Sequence, residues 1–566
     1  MEEAKEDKYV LAMYDIRGKQ EFIFRTNKLQ EIAGGSWIVR DCFEDYLFPA
    51  ATKIQLKEGN KGIYSYKHES EGNGDFKVDK YKKHIEEGYI GEVIYDGGGN
   101  FILLFKNEEI FKKVTYQFTK SLMEAIGTLR VSGTCIKIDN FDDYERDRSR
   151  LDDKHRRNEA CESNISPWAC PPIVQVDRKT TMPLVDYTYQ KDERYRRSGT
   201  SKAIMDIAIA NIRQKGKLSK ESFAKLLKYH MEIARIRSED EKKCLVELEK
   251  YYKLNENILD NMVEEKGVDS NLAVVYIDGN GMGAKVEEVT RNKSNYEECA
   301  SALRKFSNSI QELYVEAGIV HAIELPINKG NSFRIVVSAG DEINFIVKAK
   351  DAFDCAKNYM DKLRRHNYEF NENTLEEKTK ASACVGIAVF NSHAPYAEAY
   401  RIAEECCESG KKKMKYAELG CASFIDFHIC QGAIGTSLES IRMEENGDII
   451  SRPWLLWKEE ELKNDKDLTD YEKEIKPITE ILQEFGRSNV KELARAAKRS
   501  GVELDIELKR MWAHSSEETQ KAIGEKKWKW FMENGNEKDM MNRQKRQKAV
   551  YDIAISYGLW FSREGD

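Results

Sequence analysis

No stretch of this 566-residue chain approaches the roughly 20 consecutive apolar residues that a membrane-spanning helix requires. The N-terminus, MEEAKEDKYV, is acidic and lacks the basic-then-apolar order of a secretion signal. A cytoplasmic location without a membrane partner is the expectation. The 12 cysteines are scattered rather than set at the short, regular intervals of a disulfide framework, so most read as small buried apolar residues. Charge of one sign is also missing. The net charge is −7 but Lys and Arg number 91, so the average says little about local basic patches. With 41% hydrophobic and 33% charged residues the chain is globular, and its length favours roughly three to four domains.

What is present is a repeat on the scale of a whole domain. "YVLAMYDI" (Tyr9–Ile16) reads as a buried strand ending near Asp15, followed by a helix marked by Ile38, Cys42, Tyr46 and Leu47. A hairpin (Gly91–Phe105), a helix with Ile110, Val114, Phe118, Leu122 and Ile126 at i, i+4 spacing, and a strand (Leu129–Ile138) complete the unit. The order recurs. "LAVVYID" (Leu272–Asp278) is a strand ending in Asp, and Leu303, Phe306, Ile310 and Leu313 mark a helix. The hairpin "RIVVSAGDEINFIV" (Arg334–Val347) follows, then a helix through Phe353, Ala356, Met360 and Leu363, and strands Ala381–Phe390 and Cys421–Phe427. The fold class is α+β, with helices on one face of a mostly antiparallel sheet, in tandem. The expected boundaries are a first unit at 1–144, a largely helical linker at 145–267, a second unit at 268–435, and a helical C-terminal domain at 436–566.

The second unit carries the chemistry. Asp278 at a strand end, beside the hairpin carboxylates Asp341 and Glu342, makes a cluster that is costly unless cations neutralise it. A pair of Mg²⁺ or Mn²⁺ ions would serve. "DGNGMG" (Asp278–Gly283) is a Gly-rich turn before a helix, where backbone N–H groups can approach a triphosphate. Gly279, Asn280, Gly281 and Gly283 are therefore candidate nucleotide-binding positions, with Ser338 and Gly340 of the hairpin. Lys411 and Lys415, at i, i+4 on the helix after Pro395, put two ammonium groups on one face. Each piece alone has a bland reading: a polar turn, a common Asp-Gly turn, a solvated Lys run. Their joint order is what points to a site. The first unit is a control within the chain. Its hairpin reads Gly97-Gly98-Gly99-Asn100, so it keeps Asp15 and the turn but lacks both hairpin carboxylates, and it is expected to be non-catalytic.

These residues resemble the palm domains of the Cas-ten family, the large subunit of type III CRISPR effector complexes, in its Cmr-type branch. "DIRGKQEFIFRTNKLQEIAGGS" (Asp15–Ser36) resembles the opening palm segment. "DGNGMG" and "AGDE" resemble the second palm's strand-end Asp and its GGDD signature, "HAPYAEAYRIAEECCESGKK" its His-x-Pro helix ending in Lys411, and "FIDFHICQG" its closing strand. The resemblance implies a nucleotidyltransferase that joins ATP into cyclic oligoadenylates. Asp278, Asp341 and Glu342 would hold metal, Lys411 would hold the triphosphate, and Lys415 would assist. It also implies guide or target RNA and other effector subunits as partners.

The sequence departs from that pattern in places. No His is followed by Asp, so the family's HD nuclease is not expected. Glu342 replaces the second signature Asp, and Asn280 stands where the family often has another Asp. Cys161 and Cys170 lack a second close pair; His155 could join them, which keeps zinc open as a lesser cofactor. Two other classes compete with the enzyme reading: a non-enzymatic RNA-binding scaffold, and a GTP-using dinucleotide cyclase. "RDRSRLDDKHRR" (Arg146–Arg157) and "RYRR" (Arg194–Arg197) suit either nucleic-acid phosphates or a solvated linker.

Overall fold

The computed structural model describes residues 9–26, 28–58, 61–66, 84–97, 99–161, 173–178, 180–185, 208–210, 212, 216–237, 259, 262–263, 269–291, 293, 295–311, 313–314, 333–365, 367–368, 379–431, 436–459, 468–532 and 542–562. The first unit runs β1 (Val10–Arg17), α1 (Lys19–Phe24), α2 (Leu29–Arg40), α3 (Phe48–Glu58), β2 (Lys61–Tyr64), β3 (Tyr89–Gly97), β4 (Asn100–Phe105), α4 (Glu108–Ala125) and β5 (Arg130–Lys137). Its sheet has the order β2-β3-β4-β1-β5, antiparallel except for β2 against β3. The helix α5 (Tyr144–Cys161), a two-residue pair β6 (Leu184–Val185) and β7 (Leu218–Ser219), and α6 (Lys220–Arg237) connect it to the second unit. The run Arg146–Arg157 thus lies on α5, whereas Arg194–Arg197 falls outside the described residues.

The second unit repeats the plan: β8 (Asn271–Gly279), α7 (Met282–Thr290), α8 (Tyr296–Ile310), β9 (Arg334–Ala339), β10 (Glu342–Lys348), α9 (Ala352–Arg365), a small pair β11 (Asn367–Tyr368) and β12 (Thr379–Lys380), β13 (Ala383–Asn391), α10 (Tyr396–Tyr416) and β14 (Ala422–Ile429). After α11 (Leu438–Asn446) come β15 (Trp454–Lys458) and β16 (Thr469–Asp470), and the sheet order is β16-β15-β14-β13-β8-β10-β9. The segment 436–566, expected to be helical throughout, therefore adds two strands. Trp454 and Leu455 are buried and pair with Ile425 and Phe424, a cross-strand apolar contact that outweighs the polar surroundings of the run. The remainder is helical: α12 (Lys476–Gln483), α13 (Arg487–Arg499), α14 (Gly501–His514), α15 (Glu517–Ile523), α16 (Glu525–Met532) and α17 (Arg543–Ser556). "KKWKWF" falls on α16. Arg452 bridges buried Asp426 on β14 and buried Asp552 on α17, fastening these helices to the second sheet.

The expectation of helices on one face only is corrected. In β8, Ala273, Val275 and Ile277 enter one core while Leu272, Val274 and Tyr276 enter another. Both faces are buried, which is why the strand reads as a continuous apolar run rather than an alternating one. The α8 residues Leu303 and Phe306 share a core with Leu11 and Met13 of β1, and Arg304 donates to the Val93 carbonyl of β3. The helix of one unit thus closes the open face of the other. No helix among the described residues is long and apolar enough to cross a membrane.

Candidate active site

β8 lies between β13 and β10, and its register sets Asp278 opposite Glu342 on one side and Cys384 on the other. The β9–β10 turn is made by Gly340, with φ +64°, a left-handed conformation that glycine adopts without steric cost. Asp341 then folds over the end of β8, where its carbonyl accepts the Gly279 N–H at 3.3 Å. A Cβ at Gly279 would stand 2.8 Å from the Asp341 carboxylate and 2.6 Å from the Met282 methyl. Glycine at 279 is what lets the hairpin carboxylate close on the strand end.

Burial, and then the charge of Asp278, push the Asp341 carboxyl up to about 7. Lys411, three-quarters of the way along α10, donates to Asp278 Oδ2 at 2.5 Å. Burial opposes the Lys411 charge, but Asp278 outweighs it and the ammonium is held above its usual range. Both side chains remain 23% exposed, so a solute can reach the pair. Glu342 is raised by burial despite the Tyr400 hydroxyl, which donates to its Oε1 at 2.9 Å. Tyr400 is in turn covered by Phe24 of α1, with ring centroids 4.2 Å apart. Next to it Gln20 donates to Glu404 at 2.7 Å, a carboxyl raised by burial and by Glu408 and Asp278. Lys285, on the first turn of α7, is pulled below the usual lysine range by burial, against the field of acids that include Asp341.

Asp278, Asp341 and Lys411 are brought together. Glu342 is adjacent, with Oε1 accepting from Tyr400, and among the described residues the three acids are not a group whose ligand atoms all lie within 4.8 Å of one another. Gly281 (φ +65°) and Gly283 face open space, with no atom within 4 Å of a Cβ built at either. Asn280 turns the other way. Its side chain is 3% exposed and donates to the Ala422 carbonyl at 2.8 Å and to Ser382 at 3.3 Å, pinning the loop to β14 and to the residue before β13. Ser338 lies on β9 opposite Ile343. Lys415 is exposed one turn beyond Lys411. Tyr400 and Glu404 were not singled out by the sequence, although positions 400, 404 and 411 fall on one helical face, a spacing that was readable.

The first unit solves the same geometry differently. Asp15 faces Asn100 across β4, as Asp278 faces Glu342. Lys19 Nζ lies 3.6 Å from Asp15, and a Cβ at Gly99 would collide with that ammonium. Asp15, His155 and Glu159 are a group of three ligand-type side chains that converge among the described residues. Arg17 already pairs with Glu159 at 2.9 Å. His155 is buried with Thr134 and Glu159 as partners, while Cys161 is exposed at the end of α5 and Cys170 lies outside the described residues.

Residues 271–418 match the family described as Cas10/Cmr2, second palm domain. The match falls on the second unit, from the start of β8 to just past the end of α10. Among solved structures, the Csm1-Csm4 cassette in complex with cA4 aligns with TM-score 0.45 and 11% identity, covering 97% of this chain and 70% of that one. The apo Csm1-Csm4 cassette aligns with TM-score 0.39 and 11% identity over 74% of this chain and 54% of that one. The chain thus spans about half the length of the latter. No curated protein matches the sequence.

Proposed function

We propose that the second palm, within 268–435, is a metal-dependent nucleotidyltransferase that joins ATP into a cyclic oligoadenylate-type signal in type III CRISPR-like defence. The observation that carries this reading is the Asp278–Asp341 pair held against Lys411 inside a segment matching the Cas10/Cmr2 second palm. The donor set fits a hard divalent cation: two adjacent carboxylates, one of which protonates near neutrality for want of counter-charge. Mg²⁺ or Mn²⁺ held by Asp278 and Asp341 would supply positive charge to the attacking and leaving oxygens.

In the reaction a 3′-hydroxyl oxygen bonds to the α-phosphorus of a second ATP, the α–β phosphoanhydride breaks, pyrophosphate leaves and the hydroxyl proton passes to solvent. Lys411 is ion-paired to Asp278 and is a fixed cation for the triphosphate, with Lys415 as a solvent-facing second. The turn at Gly281 and Gly283 leaves room for phosphate oxygens beside the α7 N-terminus. Tyr400 fixes the direction of Glu342, the third acid. Positioning and charge neutralisation are the whole of the protein's part in such chemistry. Guide or target RNA and companion subunits are proposed as partners.

The test is incubation with each labelled NTP and Mg²⁺ or Mn²⁺, with products resolved. ATP-dependent pyrophosphate release that falls at least ~10³-fold in Asp341→Ala is the expected result. Absence of product under every condition, with RNA and partner subunits added, would turn the assignment to a scaffold. Product from GTP alone would turn it to a dinucleotide cyclase.

A further inference from the structure

Helix α13, in the C-terminal region, carries its charge in a manner that helix energetics disfavour. Val490, Leu493 and Ala497 form its buried face. On the exposed face Arg487, Lys491, Arg495 and Arg499 follow one another at i, i+4, a single row about 18 Å long at ~1.5 Å per residue. Like charges at that spacing repel and weaken a helix. Arg487 also stands at the first helical position, beside the positive pole of the helix, and Gly486 offers no capping side chain. Only two acids answer the row among the described residues. Glu492 pairs with Arg495 at 3.2 Å and Glu503 with Arg499 at 3.5 Å. Arg487 and Lys491 have no acidic partner among the described residues. Elsewhere in the same region exposed helices pair opposite charges, as in Glu472 with Lys476 and Glu507 with Arg510. The row is thus a departure from the chain's own habit, and it costs the helix stability.

We propose that the α13 row is a docking surface for the sugar–phosphate backbone of a single-stranded nucleic acid. An anionic polymer supplies what the row lacks: negative charges repeating along a line, at intervals comparable to the ~6 Å between successive cations. The row bears no large apolar side chain, and a protein partner would need apolar or aromatic anchors at the centre of its footprint. The exposed Val502 and Ile506 lie on the next helix, α14, and are the features a protein partner would use instead. The inference is independent of the chemistry assigned to the second palm.

The experiment measures binding of two fluorescent 15-nucleotide RNAs, an oligouridylate and a mixed sequence, to the full chain over a series of salt concentrations. The variant combines Arg487→Ala, Lys491→Ala and Arg495→Ala. Three lost phosphate contacts at ~0.7 each predict a salt-dependence slope shallower by about 2, with binding at least about tenfold weaker at low salt and equally so for both RNAs. The melting temperature should stay level or rise, because repulsion within the row is relieved. An unchanged slope and affinity would overturn the proposal. So would competition by polyglutamate as effective as by unlabelled RNA, which would assign the row to an acidic protein. If the variant melts lower and loses binding, the charge-conserving pair Lys491→Arg and Arg495→Lys decides: retained binding supports the surface, and loss refutes it. Asp341→Ala protein should bind RNA like the wild type, so failure of the nucleotidyltransfer assignment leaves this result readable.

Discussion

The two palms share one backbone plan and answer the same electrostatic problem with opposite means. In each, a strand-end Asp is followed three residues later by a left-handed glycine that caps a helix: Asp15 and Gly18, Asp278 and Gly281. In the first palm the residue after that glycine is Lys19, whose ammonium fills the space over Gly99 and neutralises Asp15. In the second the same place holds Met282, and the hairpin supplies Asp341 where the first supplies Gly99. The first palm has its cation built in. The second carries more buried carboxyl groups than fixed cations, so burial and the charge of Asp278 leave Asp341 holding a proton up to about neutral pH. The difference teaches that one backbone plan can set either a side-chain ammonium or a second carboxylate against the strand-end acid, with the fold untouched.

The largest effect should come from imposing the first palm's solution on the second. Met282→Lys places an ammonium beside Asp341 and is expected to reduce ATP turnover at least ~100-fold with the melting temperature preserved. Direct Mn²⁺ titration should show weakened binding in the same variant. Turnover near wild type would break the comparison. Next in size is the pair of lysine deletions. Lys411→Ala leaves Asp278 without its fixed partner and should cost about 10- to 100-fold in turnover. Lys19→Ala, its counterpart by role, should change turnover less than about twofold while lowering stability by about 1 kcal/mol, the scale of a partly exposed ion pair. Equal losses in the two would mean that both palms take part in the chemistry.

The smallest effect concerns pH. The folded chain holds a proton on Asp341 up to about pH 7, whereas an unfolded carboxyl releases it near ~4. Folded protein therefore binds more protons across that window, and its metal-free stability should fall as pH rises through it. A melting series between about pH 5 and about pH 8 should show this decline in wild type and a smaller one in Asp341→Asn. Added Mn²⁺ should close the gap. A decline of the same size in both proteins would remove Asp341 as its source.

Much of the fold was legible because it rests on local rules. The repeated strand–helix–hairpin order follows from apolar periodicity and from glycines where the chain reverses. What misled was burial on both faces. A strand such as β8 does not announce whether its second face meets a helix of its own unit or, as with α8 against β3, one from the other. The strands β15 and β16 were missed for a related reason. "WLLWK" is short and lies between charged runs, and only its pairing with β14 makes it a strand. In the site, Asp278, Asp341 and Lys411 were readable as residue types at telling places. Asn280 was not, because a buried structural amide and a ligand-facing one look alike in sequence.

By itself the sequence determined which acids and lysines exist, which hairpin lost its carboxylates, and where glycine permits the chain to turn. These are properties of residue identity and of backbone sterics over a few positions. Only the tertiary structure decided that Asp341 closes on Gly279, that Tyr400 holds Glu342 by a hydrogen bond under Phe24, and that Lys19 lies over Gly99 beside Asp15. Those outcomes depend on distances between residues tens to hundreds of positions apart. The strength of a charge–charge interaction is set by that separation and by the burial around it, and neither is written in the order of the residues.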